Sequence, residues 1–495
     1  MFAFVIFDKR KRELFLARDR LGIKPLYYYW DGNVFIAASE MKAILAYENL
    51  KLNLNYTSLY RYLQFEFFPA PSTIYKNVKK LKPGFYLKFI NGHIEKRKYW
   101  DIDLSANTHH FCNEKEITSK ISSLLEDSVT NRLISDVPLG TFLSGGIDSG
   151  LITAMSAKEK QNIKTFTANF SESSYSEREY AEAVAQEYGT EHKSFFISTE
   201  IKNNIDTLLD KLDEPFGDIS FLPTYYLSKY TRNHVTVALS GDGGDELFGG
   251  YYTYVAFLLY DKFLRKFPYG DKVCKAIQGH LPYTRKNQSY VDGLKRFIKG
   301  CAYNPTNHTF WMQTCEDGNL LNILDHDVQL LIDIDRCHCD KEMTGNEMLL
   351  WDLKNYLPEN ILYKTDRASM YNSLEVRVPF LDHRLVEYAF SLPFELKINF
   401  LTKKYILKKL AAKYLPKKVI KRRKKGFSVP FKNWVKEDLK EYISYYLLSN
   451  NSPGKHLFNQ TQIESILMQH NQNICNYSHL IWNLLVFNKW YENYN

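Results

Sequence analysis

The sequence predicts an α/β fold in which a β-rich N-terminal part precedes a parallel sheet covered by helices. Two observations predict it. Short apolar or alternating runs broken by turns fill the first hundred residues, whereas beyond residue 113 apolar residues recur at three- and four-residue intervals. Twice after that point a strand-like run ends in a glycine-rich loop, at Ser144–Gly146 and again at Gly241–Gly244, while strand-like and helix-like runs alternate as in βαβ units.

In chain order, Phe2 to Phe7, Leu14 to Ala17, Leu26 to Tyr29 and Val34 to Ala37 read as strands, with Asp31-Gly32-Asn33 as a turn. Lys82-Pro83-Gly84 and Asn91-Gly92 are turn signals on either side of a strand at Phe85 to Ile90. Asp101 to Asn113 is polar and unpatterned and reads as a linker, which divides the chain into parts 1–104 and 105–495. Ile117, Ile121, Leu124 and Leu125 then mark one helical face. Leu139 to Leu143, Thr165 to Phe170 and Val235 to Leu239 read as strands, and Leu151 to Glu159 and Tyr180 to Tyr188 as helices. Parallel sheets of this kind take ligands at the carboxyl ends of their strands, where both glycine loops fall. After residue 250 the pattern is mainly helical, and no internal repeat is present.

The 495 residues are long enough for about two to four domains. Hydrophobic residues make up 45% and charged residues 24%, a globular composition that excludes a mainly disordered or fibrous chain. The net charge of +9 is mild over this length and does not point to nucleic acid. No apolar run reaches the roughly 18 residues of a membrane span. The apolar start Phe2 to Phe7 runs at once into Asp8-Lys9-Arg10, which is a strand's pattern and not a signal peptide's. Seven cysteines, an odd and sparse set, form no disulfide framework, so a reduced cytoplasmic chain is expected. Cys337-His338-Cys339 has no second Cys/His pair at ligand spacing and is not read as a zinc site.

The chemistry concentrates in Ser144-Gly145-Gly146-Ile147-Asp148-Ser149, between a strand and a helix. Glycines let backbone N–H groups turn toward an anion, and the helix N-terminus adds about 0.3–1 kcal/mol for a single exposed charge. Ser144 and Ser149 carry hydroxyl donors, and Asp148 is a carboxylate of the kind that holds Mg²⁺. The loop lacks the Gly-x-x-x-x-Gly-Lys-Ser/Thr order of a P-loop. Taken alone, it also fits a simple capped strand-to-helix turn.

Its context resolves that choice. The loop resembles the pyrophosphate loop of N-type ATP pyrophosphatases, and the string from Ser135 to Ser149 resembles the synthetase domain of B-type, glutamine-hydrolysing asparagine synthetases. Three further segments agree in order: Leu239 to Tyr251, Lys364 to Met370 leading to Glu375–Asp382, and Arg423-Lys424-Lys425-Gly426-Phe427. The resemblance implies an α/β synthetase domain of adenine nucleotide alpha hydrolase type. It implies ATP and Mg²⁺, with Leu143 and Ala168 lining the adenosine pocket and Ser144, Gly145, Gly146 and Ser149 forming the pyrophosphate loop. Ser240 and Gly241 would meet the nucleotide by backbone, and Asp148 and Asp245 would hold the metal. Asp242 stands where the family usually has Glu, at a position tied to acyl-adenylate formation, with a side chain one methylene shorter. Lys424 would face the pyrophosphate, closing over the loop from far along the chain, and Asp366 would contact substrate or intermediate. The other charges of the run from Lys417 to Lys425 read mostly as a solvated helix end.

The first part resembles the later portion of an N-terminal-nucleophile glutaminase, an α+β sandwich, through Ala17 to Tyr28. Asp19 matches the carboxylate that holds the glutamine α-amino group. That family's nucleophile is a cysteine at the position after Met; here position 2 is Phe2 and the first cysteine is Cys112. The expectation is a partial glutaminase domain, from a truncated or mis-started chain or else a natural ammonia-dependent variant, that does not hydrolyse glutamine. With strands missing, Phe2 to Phe7 would be an exposed edge. The implied reaction is ATP-dependent synthesis of asparagine from aspartate through β-aspartyl-AMP, with ammonia as nucleophile and glutamine as donor only in a full-length form. The substrates are small molecules, with no nucleic-acid or membrane partner and a homodimer as the assembly. Two alternatives stand beside it. One is the same chemistry on another carboxylate, such as a polysaccharide uronic acid or a cyclising peptide or β-amino acid. The other is a binding protein that keeps the motifs as relics.

Overall fold

In a computed structural model, the described residues are 1–106, 113–170, 177–197, 204–267, 270–278, 290–303, 308–314, 317–333, 343, 345–422, 431–436 and 439–494. Lys424, Cys112 and the Cys337-His338-Cys339 triplet lie outside them.

Two antiparallel sheets form the first part. One has the order β1 (Ala3–Asp8), β2 (Glu13–Arg18), β6 (Phe85–Ile90), β7 (His93–Lys98). The other has the order β4 (Phe35–Ala38), β3 (Tyr27–Trp30), β5 (Val78–Lys80). Alternation supplies the packing: Leu16, Leu26, Tyr28, Leu81 and Leu87 form one small core, while Tyr27 and Tyr29 on the opposite face of β3 join the main core. The all-strand reading of this part is corrected by two helices, Met41–Leu45 and Tyr56–Phe65. The second has a local reason, since the Asn55 side chain accepts from the Ser58 N–H and caps it. β1 is an edge strand, and its Ile6 and Phe7 are each 55% exposed.

The second part is built on a parallel sheet in the order β10 (Glu191–Ile197), β9 (Lys164–Phe170), β8 (Leu139–Phe142), β11 (Val237–Leu239), β12 (Glu375–Arg377). The glycine loops leave the C-terminal ends of β8 and β11, which are neighbours, so chain order brings together segments about a hundred residues apart. Helix Ile147–Glu159 follows β8 and buries Leu151, Ile152, Ala154 and Met155; helix Phe221–Arg232 precedes β11. A π-helical stretch at Asp352–Leu362, with Pro358 inside it, leads into helix Tyr363–Met370. Among the described residues no helix is long and apolar enough to cross a membrane.

Candidate active site

The two glycine loops interlock. Gly145 has φ +70°, and a Cβ there would lie 2.7 Å from the Ala181 nitrogen at the start of helix Arg178–Glu187. A Cβ at Gly241 would lie 2.7 Å from the Ser149 nitrogen, and one at Gly244 would lie 2.6 Å from Asp148 Oδ1. Side chains at these positions would force the loops apart, so glycine sets their contact.

Within the first loop the Ser144 and Ser149 hydroxyl oxygens are 3.0 Å apart, and Ser149 Oγ accepts from the Ser144 N–H at 3.2 Å. Leu143 is fully buried, its N–H donating to the Phe166 carbonyl at 2.8 Å; Ala168, also buried, lies on the adjacent strand β9. Ser240 donates from its N–H to the Arg377 carbonyl at 2.9 Å and from its hydroxyl to Asp242 Oδ2 at 2.9 Å. Thr365 also donates to Asp242 Oδ2, at 3.1 Å. Burial raises the Asp242 carboxyl above its ordinary range, against the pull of Lys364 and these two hydroxyls.

Asp148 lies in the first turn of helix Ile147–Glu159, and Asp245 in the short helix Gly244–Phe248. Their carboxylates converge on one ammonium, that of Lys404, which pairs with Asp148 Oδ2 and lies 2.6 Å from Asp245 Oδ1. Burial alone would lower the Lys404 pKa, but the two carboxylates hold it well above the ordinary lysine range. A shared cation between two oxygen donors fits Mg²⁺, which takes one or two carboxylates together with substrate phosphates.

Two more expected site residues have these partners. Asp366 lies 2.8 Å from Lys24 of the first part and neighbours Thr365, which donates to Asp242. Asp19 is buried, and its oxygens accept from the N–H groups of Leu21, Ile23, Lys24 and Phe2 at 2.9–3.3 Å. It therefore shapes the loop from Arg18 to Lys24.

Three residues at the site were not singled out by sequence. Thr365 was visible inside the motif from Lys364 to Met370, but nothing local marks its partner. Lys404 carries no sequence signal. Arg422, in the basic run read mostly as solvated, is an exception to that reading: its side chain is 8% exposed, pairs with Glu177 and donates to the Ser144 carbonyl at 3.0 Å. Lys417, Lys418 and Lys421 are exposed, as that reading expects.

Two family models match separate parts of the chain. A family model described as asparagine synthase matches residues 120–492, and one described as a glutamine amidotransferase domain matches residues 1–100. Asparagine synthetase (glutamine-hydrolyzing) 1 of Bacillus subtilis is 32% identical over 99% of this chain and 77% of its own length. Asparagine synthetase (glutamine-hydrolyzing) 3 of the same organism is 28% identical over 94% of this chain and 73% of its own. Amidase chyE of Penicillium rubens is 28% identical over 88% and 70% respectively. With matches of that length and identity, the chain belongs to the asparagine synthase family and is a carbon–nitrogen ligase.

Proposed function

We propose that the chain makes asparagine from aspartate and ammonia at the expense of ATP, through a β-aspartyl-adenylate. The observation that carries this reading is the contact of the two loops, which sets Asp148 and Asp245 around one cation position beside the backbone amides of Ser144 to Ser149. The aspartate β-carboxylate attacks the α-phosphorus of ATP, and the diphosphate leaves with the charge it accumulates. The loop N–H groups and the hydroxyls of Ser144 and Ser149 are the donors assigned to that charge. Mg²⁺, held by Asp148 and Asp245, neutralises charge on the phosphates when bound. Lys424 is assigned the far side of the diphosphate, while Leu143, Ala168, Ser240 and Gly241 are assigned to the adenosine. Ammonia then attacks the acyl carbonyl, AMP leaves, and a proton is lost. Asp242, a desolvated carboxylate oriented by Ser240 and Thr365, is suited to take that proton.

The similarity to a protein named an amidase leaves a second acceptor in play, a carboxylate other than aspartate. One experiment tests both: release of AMP and diphosphate by the purified chain with ATP and aspartate, run with ammonium and separately with glutamine. AMP and asparagine in equal amounts with ammonium are expected. AMP release that ignores aspartate but responds to another carboxylate transfers the chemistry to the second acceptor, and no AMP with any carboxylate overturns the reading.

A further inference from the structure

We propose that the Lys404 ammonium is a resident stand-in for the divalent cation, and that it keeps metal out of the site until nucleotide arrives. The inference rests on the ATP reading above but concerns the protein before ATP binds.

The position is built for this cation. Lys404 is 7% exposed and its ammonium sits between Asp148 and Asp245, each 19% exposed. A Cβ on Gly250 would lie 2.5 Å from Lys404 Cε and 1.6 Å from Asp245 Oδ1, so glycine alone leaves room for the pair. Lys404 itself has φ +53°, a left-handed conformation that a lysine seldom adopts, immediately before helix Tyr405–Ala411. The preceding lysine does not compete: the Lys403 ammonium lies 3.2 Å from the centre of the Tyr252 ring.

Two carboxylates this close repel unless a cation lies between them. A lysine tethered to the chain supplies one without loss of free ions from solution. A divalent ion entering alone must displace it, and the described residues offer no group of three or more His, Cys, Asp or Glu able to hold a metal. Nucleotide changes both terms: its phosphates complete the oxygen shell, and they give the displaced ammonium a new anionic partner. Metal and nucleotide binding are thereby coupled, each favouring the other.

The test is Mn²⁺ binding to the full chain without nucleotide, read by electron paramagnetic resonance of the free ion. Lys404→Met is expected to bind Mn²⁺ at least about tenfold more tightly than wild type. Adding Asp245→Asn to it should abolish the gain. Lys404→Gln repeats the measurement should the Met variant fail to fold, and Mn²⁺ held as tightly by wild type as by the folded neutral variant overturns the proposal. ATP binding to wild type with Mg²⁺ present, followed calorimetrically, reports separately on the reading beneath. A Mn²⁺ gain without ATP binding keeps the stand-in and rejects the nucleotide site; ATP binding without a Mn²⁺ gain does the reverse.

Discussion

A methyl group at Gly145 would lie 2.7 Å from both the Ala181 nitrogen and Tyr180 Cβ, at a backbone φ of +70°. Gly145→Ala is therefore expected to cost at least about 2 kcal/mol of stability, from the strained φ and the forced movement of helix Arg178–Glu187. Denaturant unfolding measures the loss, and a change below about 0.5 kcal/mol would mean that the loop yields freely. At this scale, what sequence reveals depends on whether a residue's partners are near it in the chain. Ser144, Gly145, Asp148 and Ser149 were legible because a strand, a glycine turn and a helix start act within six residues. Lys404 was not, because its whole meaning comes from carboxylates 256 and 159 positions away, counted from Asp148 and Asp245. Arg422 was obscured differently. Its neighbours Lys417, Lys418 and Lys421 do face solvent, and only its contact with the Ser144 loop separates it from them.

The helix His383–Ser391 is held at its start by Asp382, which accepts from the Arg384 N–H at 3.1 Å and from its guanidinium at 2.9 and 3.0 Å. Burial opposes ionisation of this carboxyl, but Arg384 and Arg132 bring it down to about 2. A carboxyl lowered on folding contributes stability above its unfolded pKa, and that stability disappears as pH falls through the folded one. Asp382→Asn should thus cost about 1 kcal/mol near neutrality, with the gap to wild type closing between about pH 4 and pH 2; thermal melts over that range would show it. A gap that persists at the acid end would assign the loss to packing. Elements were legible where their pattern is intrinsic. The strands β8, β9 and β11 start and end within two residues of their expected bounds. β10 was missed because Glu191-His192-Lys193-Ser194 lacks a strand's apolar alternation and pairs only with β9. β12 has three residues, held in register by β11. Helix Tyr56–Phe65 was hidden by four aromatic residues, which in isolation favour strands.

The two parts of the molecule meet through buried charge. Lys80 on β5 lies 2.7 Å from Glu214 and 3.0 Å from Glu359, all three about 3% exposed or less, and Arg18 reaches Glu359 at 3.3 Å. Burial pushes Glu214 up to about 7 even against the pull of Lys80. Lys80→Met strands Glu214 and leaves Glu359 with Arg18 alone, and should cost about 3–5 kcal/mol at alkaline pH. Lys80 is itself a group that lowers Glu214, so in the variant this carboxyl titrates above about 7, and the penalty should shrink as pH falls from alkaline values toward about 7. Unfolding of wild type and variant near pH 7 and at alkaline pH measures it, and a loss that is the same at both would show that Glu214 does not change charge between them. None of this seam was legible in sequence, since each partner is an ordinary charged residue until the fold brings them together.

The contact of Lys24 with Asp366 has a consequence for anyone recombining relatives of this protein. Lys24 belongs to the turn organised by Asp19, and Asp366 neighbours Thr365, which grips Asp242. A hybrid spliced near residue 104 would separate Lys24 from Asp366 and Lys80 from Glu214 and Glu359, leaving unmatched ions in a dry joint. Grafting one half onto a foreign partner therefore requires transplanting these residues as a set, so the parts of this enzyme are less interchangeable than its division in sequence suggests.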